Sequence, residues 1–507
     1  MTFEIVFVLL SLLGMVAALI ADKMRPGMIL FSVVVLFLCA GILTPKEMLE
    51  GFSNKGMITV ALLFLVSEGI RQSGTLGQVI KKLLPQGKTT VFKAQLRILP
   101  SVAFISAFLN NTPVVVIFAP IIKHWAKSVN LPATKFLIPL SYVTILGGIC
   151  TLIGTSTNLV VHGMILEAGF EGFSMFELGK VGIFIAIAGI IYIFLFSKRL
   201  LPDARPDTAV PDEEVEEGEK LHRVEAVLGA RFPGINKKLK DFNFQRHYGA
   251  EVKEIKTRNG QRFVTNLDDV VLHEGDTLVV MADDTFIPTW GESSVFVLLT
   301  NGNEPDTSGK KKRWFALLLL VLMVTKEMFP DIKLDMFFFV SITTIIMAWT
   351  NLFPARKYTK YISWDILITI ACAFAISKAM VNSGVADSVA KFIIGLSDDY
   401  GPHVLLAMVF IITNLFTELI TNNAAAALAF PLALSISAQL GVSPTPFFVV
   451  ICMAASASFS TPIGYQTNLI VQGIGNYKFT DFVRIGLPLN IITFLISIIL
   501  IPLIWNF

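Results

Sequence analysis

The chain reads as an α-helical polytopic membrane protein: two inverted-topology repeats of five crossings each with re-entrant hairpins, plus a small α/β cytoplasmic domain inserted between them. Three observations predict this. Hydrophobic residues make up 54% of the 507, mean hydropathy is +0.69 and only 16% are charged, so most of the chain must be solvated by lipid or by itself. Thr151–Gly163 (TLIGTSTNLVVHG) recurs 310 residues later as Thr461–Gly473 (TPIGYQTNLIVQG), and Ser67–Gly74 pairs with Ser377–Gly384 at the same offset. Between the two copies lies a long polar stretch, Asp203 to Arg313.

Apolar runs of spanning length fall at 3–22, 27–43, 57–71, 134–168 (interrupted) and 178–198, then at 313–330, 333–351, 363–381, 445–475 (interrupted) and 482–505. The first run has Glu4 near its start and Lys23 and Arg25 after it, the order of a retained helix and not of a cleaved signal. With ten alternating crossings, every basic cluster shares one side: Lys23/Arg25, Lys81/Lys82/Lys88/Lys93/Arg97, Lys198/Arg199, Lys310 to Arg313, Arg356/Lys357/Lys360 and Lys478/Arg484. The positive-inside rule makes that side cytoplasmic, which puts both termini and Asp398-Asp399 outside. Five crossings is an odd number, so the second repeat enters the membrane inverted. The divisions are 1–202 for the first repeat, 203–220 for an acidic linker, 221–295 for the inserted domain, 296–312 for a basic linker and 313–507 for the second repeat.

Two segments do not fit simple crossings. Arg97 to Lys123 and Pro402 to Leu434 are apolar but broken by Asn110-Asn111 and Asn422-Asn423. A re-entrant hairpin explains each, because irregular backbone at membrane depth survives only where protein or a water-filled cavity covers it. The interrupted crossings supply the other wall through Gly147-Gly148 and Gly154 to Asn158, and through Ser456 to Gln466. Four polar breaks then converge on one binding site, formed by Asn110, Asn111, Thr112, Thr155, Ser156, Thr157, Thr421, Asn422, Asn423, Tyr465, Gln466 and Thr467. All are neutral. Free N–H groups at half-helix starts suit an anion, while Asn and hydroxyl oxygens with unwound carbonyls suit sodium. The pattern points to a secondary transporter, and no Walker A motif argues for ATP use.

Other polar residues have plainer readings. Cys39, Cys150, Cys372 and Cys452 lie in apolar runs without metal-ligand spacing and read as small core residues. Glu68 and Glu418 are intramembrane carboxylates; Glu418, one turn before the second break, is either a proton site or a hydrogen-bonding support. Asp365 reads as a helix cap. Rival classes are a sodium/proton or arsenite-type exporter, which calls for a carboxylate at a break, and a potassium channel, whose Thr-Val-Gly-Tyr-Gly filter is absent.

At these residues the chain resembles the divalent anion:sodium symporter family across both membrane halves. The motifs are FLNNTPVVVIFAPI and TELITNNAAAALAFPL at the hairpins, then TLIGTSTN and TPIGYQTN. The resemblance implies a homodimer of scaffold and transport domains carrying sodium and a dianion, with no organic cofactor and no nucleic-acid partner. Carried over by position, one sodium site involves Ser106, Asn110, Asn111 and Gly154, and the other Thr417, the Ile420 carbonyl, Asn422 and Gly464. The family's carboxylate members carry serines and Pro-Pro-Asn turns where this chain has Asn110, Thr421, Ser-Thr-Asn and Gln-Thr-Asn. These departures and Tyr465 look like the sulfate-transporting branch, with succinate or citrate, or an anion sensor signalling through the insert, as alternatives. The insert, notably Leu239 to Gly249 and Glu274 to Val280, resembles a TrkA C-terminal domain, which implies either a module that binds a nucleotide-like regulatory ligand or a spacer or dimerisation module without one. A prokaryotic inner or plasma membrane is the expected location, with membrane lipid as the surrounding partner.

Overall fold

A computed structural model describes residues 3–21, 24–85, 87–203, 222–229, 232–257, 261–283, 286, 290, 295–300, 310–325, 336–395 and 401–507. Most of the acidic linker, part of the basic linker, Lys23 and Asp398-Asp399 lie outside them.

Helices of nine or more residues run twice through one order. In the first half they are α1 (Phe3–Ala21), α2 (Pro26–Cys39), α3 (Lys55–Gln72), α4 (Thr75–Leu83), α5 (Val91–Ser106), α6 (Asn111–Ser128), α7 (Leu137–Gly148), α8 (Ser156–Glu167) and α9 (Gly179–Leu200). In the second they are α10 (Lys310–Thr325), α11 (Met336–Trp349), α12 (Trp364–Asn382), α13 (Val385–Gly395), α14 (Gly401–Leu419), α15 (Asn422–Leu440), α16 (Thr445–Ser456), α17 (Gln466–Gly475) and α18 (Phe479–Ile504). Each helix therefore has its counterpart nine labels later. Among the described residues, seven helical stretches are long and apolar enough to cross a membrane. Two of them, α14 and α15, are the arms flanking the second break.

Local chemistry accounts for the joints. Asn54 caps α3 by accepting from the Gly56 amide at 2.7 Å. Both copies of the Ser-Gly match end a helix the same way: Gly74 and Gly384 sit at φ +70 and +74, a left-handed stop that glycine adopts without a Cβ penalty. The paired breaks differ in length, since 107–110 separate α5 from α6 but only Ile420 and Thr421 separate α14 from α15. The interrupted crossings become α7 with α8 and α16 with α17, joined by non-helical loops. α7 is buried along its whole length and α16 from Pro446 onward, as a hydrophobic-all-round helix should be.

Two expectations change here. Asp365 lies in the first turn of α12, while Ser363 occupies the cap position. Of the cysteines, Cys372 and Cys452 are buried and Cys150 partly so, but Cys39 is exposed near the end of α2, and all four are free thiols.

Between the halves lies a five-stranded antiparallel sheet of order β3-β2-β4-β1-β5, with β1 His222–Leu228, β2 Glu251–Lys256, β3 Arg262–Phe263, β4 Thr277–Ala282 and β5 Phe296–Thr300. It takes in Phe296–Thr300, residues the sequence reading gave to the basic linker. Period-two alternation sends Val224, Ala226 and Leu228 to one face, where they meet Leu278, Val280, Phe232, Phe244, Tyr248 and Phe296. That aromatic cluster is the domain's own core.

Candidate functional site

Four helices begin at the polar breaks, α6 at Asn111, α15 at Asn422, α8 at Ser156 and α17 at Gln466, and hydrogen bonds join all four starts. Asn111 Nδ2 donates to the Tyr465 hydroxyl at 2.6 Å, and Thr155 Oγ1 lies 3.1 Å from the same hydroxyl. Thr112 donates to Gln466 Oε1 at 3.3 Å, while Ser156 and Thr157 reach Asn423 Oδ1 at 3.4 and 3.3 Å. Residues 354 positions apart thus meet, and the two halves share one centre. Each start contributes unbonded N–H groups worth about half a positive charge.

The repeat extends to individual bonds. Ser106 Oγ donates to Asn111 Oδ1 at 2.7 Å, and Thr417 Oγ1 is 2.7 Å from Asn422 Oδ1. Thr151 Oγ1 accepts from the Gly154 amide at 3.2 Å, as Thr461 Oγ1 does from Gly464 at 3.2 Å. Asn158 Nδ2 donates to the Thr151 carbonyl at 2.9 Å, and Asn468 Nδ2 to that of Thr461 at 3.1 Å. Each loop is closed by its own Thr and Asn. Glycine is required in the first one: a Cβ on Gly148 would lie 2.7 Å from Asn111 Oδ1, and one on Gly154 would run into the Gly148 carbonyl. Oxygen atoms therefore cluster at two places, around Ser106, Asn111 and Gly154, and around Thr417, Asn422, Ser458 and Gly464, with Ser458 Oγ 3.3 Å from the Thr417 carbonyl.

Not every expected residue points inward. Thr467 is held from behind by Ser141 Oγ at 2.8 Å, and Ser141 also lies 2.7 Å from Asn468 Oδ1. Ile420 packs its side chain against apolar neighbours, leaving its carbonyl for any ligand role. Gln466 is exposed, and Asn110 lines a small cavity with Ser67, Phe108, Ile153, Ser156 and Met323. At about 20 Å³ this cavity admits one water and no larger anion.

Glu418 lies beside the second break and Glu68 away from the breaks. Glu418 Oε1 accepts from the Ser460 amide at 2.8 Å and from Asn490 Nδ2 at 2.7 Å, which supports the second loop from outside. Glu68 forms a two-point ion pair with Arg71 at 2.6 and 2.7 Å. Among the described residues no cluster of His, Cys, Asp or Glu could hold a metal ion. Sequence reasoning missed that Thr151 with Asn158 and Thr461 with Asn468 close the loops, and missed Ser141 and Asn490 altogether. The first four were visible inside the repeat; Ser141 and Asn490 carried no signal.

Comparison with known proteins gives the same outline. A family model described as citrate transporter matches residues 16–441 and also 333–506. An uncharacterized transporter of Synechocystis sp. is 30% identical over 94% of this chain and 93% of its own length. Sodium/sulfate cotransporter 2 of Chlamydomonas reinhardtii is 31% identical over 53% of this chain and 31% of its own. A sodium-dependent dicarboxylate transporter of Staphylococcus saprophyticus is 19% identical over 91% of this chain and 78% of its own.

Proposed function

The chain belongs to the citrate transporter family, and from that premise we propose that it is a sodium-coupled symporter of a small divalent anion, sulfate foremost, working by elevator-type alternating access. It is an integral membrane transporter and not an enzyme. The observation that carries this reading is the meeting of four helix starts whose side chains are neutral amides and hydroxyls. N–H donors around a common centre suit an anion, and the two oxygen clusters beside it suit sodium ions that offset its charge. One ion is held by Ser106, Asn110, Asn111 and Gly154, the other by Thr417, the Ile420 carbonyl, Asn422 and Gly464. The anion takes its donors from Asn110 to Thr112, Thr155 to Thr157, Thr421 to Asn423 and Tyr465 to Thr467.

Sulfate is favoured by two things. The sodium/sulfate relative is more similar over its matched part than the dicarboxylate one, and the Tyr465 ring occupies the centre where Thr155 stands in the other half. A compact tetrahedral dianion needs less room than succinate. The second reading, a di- or tricarboxylate substrate, is favoured by the family's description and by the S. saprophyticus relative.

We also assign the breaks to re-entrant hairpins, the halves to opposite orientations, the inserted sheet to a cytoplasmic module like a TrkA C-terminal domain, and the working form to a homodimer. The test is radiolabelled sulfate uptake into proteoliposomes under an inward sodium gradient, with unlabelled succinate and citrate as competitors. Sodium-dependent sulfate uptake that resists both competitors is expected. Sodium-driven succinate flux without sulfate flux would return the chain to the carboxylate reading.

A further inference from the structure

The outer face of the inserted sheet is covered. Strand register puts Glu225, Val279 and Glu254 in one row across β1, β4 and β2, and Val227, Thr277 and Lys256 in the next. Both rows face away from the aromatic core. A free outer face would leave such residues in water, yet Glu254 is 2% exposed, Lys256 4% and Thr277 0%. Charges are buried to that degree only against partners.

Two site-forming helices meet this face, at Glu225 and at Thr277. Lys123, twelve residues beyond Asn111 in the helix that starts there, donates to both Glu225 carboxylate oxygens at 2.9 and 3.0 Å. Lys256 continues the network, 3.7 Å from Glu225 and 3.9 Å from Glu254, and Arg262 closes it on Glu254. On the other side, a Cβ on Gly473 would run into Thr277 Oγ1, and one on Gly275 would meet Leu469 at 3.5 Å. Gly473 and Leu469 belong to α17, which starts beside Tyr465. One rigid sheet therefore holds α6 and α17 together, and the starts of these helices are bonded to each other through Asn111–Tyr465 and Thr112–Gln466.

We propose that the inserted sheet is an intramolecular clamp that keeps the anion site closed on itself by gripping α6 and α17 at once. This rests on the symporter reading for its substrate but not for its geometry. With the clamp seated, the side-chain donors of Asn111, Thr112, Ser156 and Thr157 are spent on the protein's own side chains, so releasing it shifts the population toward an open site.

The test uses the full-length protein with Lys123→Gln, Glu225→Gln and the double variant. Lys123 lies outside the sheet, so its variant leaves the domain's own packing intact if Glu225→Gln does not. Each single variant is expected to raise initial sulfate uptake at sub-saturating sulfate at least threefold through a lower KM. The double is expected to do no more than either single, because both break one contact. Hydrogen–deuterium exchange of the first turns of α6 and α17 is expected to rise in parallel. Wild-type uptake and wild-type exchange in Lys123→Gln would overturn the clamp. If the parent protein moves no sulfate yet both turns exchange faster in the variants, the clamp stands and the sulfate reading falls.

Discussion

Asn111 makes two bonds at once, accepting from Ser106 and donating to Tyr465, and an alanine there makes neither. Each buried group left unpaired costs about 1–3 kcal/mol, and Asn422 holds the matching position with Thr417. Asn111→Ala and Asn422→Ala should each lower sodium-dependent uptake at least a hundredfold while the protein still elutes as a folded species in detergent; uptake near wild type in either would remove the site assignment. Tyr465→Thr copies the residue of the other half and vacates the centre. It should raise inhibition of sulfate uptake by succinate at least fivefold, measured as a competitor titration. These residues were legible in the sequence because the repeat marks them twice and because adjacent amides are rare in apolar runs. Glu418 shows the opposite case. Its partner Asn490 lies 72 residues away, and spacing along a chain says nothing about which of two intramembrane polar groups will meet.

At the scale of elements, the loops between α7 and α8 and between α16 and α17 are held by one device used twice, a Thr hydroxyl on a Gly amide and an Asn on a Thr carbonyl. Asn158→Ala should loosen the first loop without touching any group assigned to the anion. The expected result is a tenfold or greater rise in KM for sodium with sulfate KM changed less, read from uptake at varied sodium. The breaks and loops were readable from Gly and Asn in apolar runs. Which helix would pack along its whole surface was not, because a helix that is apolar all round fits lipid and core alike. The docking of β1 on α6 carries its own pH signature. Burial would raise the Glu225 carboxyl, but the Lys123 and Lys256 ammonium groups outweigh that and hold it at about 2, below the usual 4.5. A depressed folded-state value means its stabilisation is complete above about 4.5 and is lost as pH falls toward 2. Exchange protection of β1 should therefore be level from pH 8 to 5; a midpoint near 6 would contradict the ion pair as drawn.

Seen whole, the molecule is two copies of one helix order with a sheet between them. The copying was plain in the sequence at an offset of 310. Alternation within the strands told which residues would share a face of the sheet but not that helices from both halves would cover it, since that contact is made only in three dimensions. Removing 203–301 with a short Gly/Ser bridge should leave a folded transporter whose sulfate KM falls to that of Lys123→Gln; loss of all uptake with normal folding would make the sheet part of the transport machinery. The departures from symmetry have a consequence of their own. In the inverted arrangement proposed above, two identical halves would make the outward-facing and inward-facing forms equivalent by a two-fold rotation and equal in energy, and the empty carrier would rest on either side alike. Tyr465 opposite Thr155, and a break of 107–110 opposite one of only two residues, remove that degeneracy. In that arrangement the empty protein favours one side of the membrane, so loading differs in rate from the two sides while the ion and anion gradients alone set the net direction, a kinetic bias written in the residues its halves do not share.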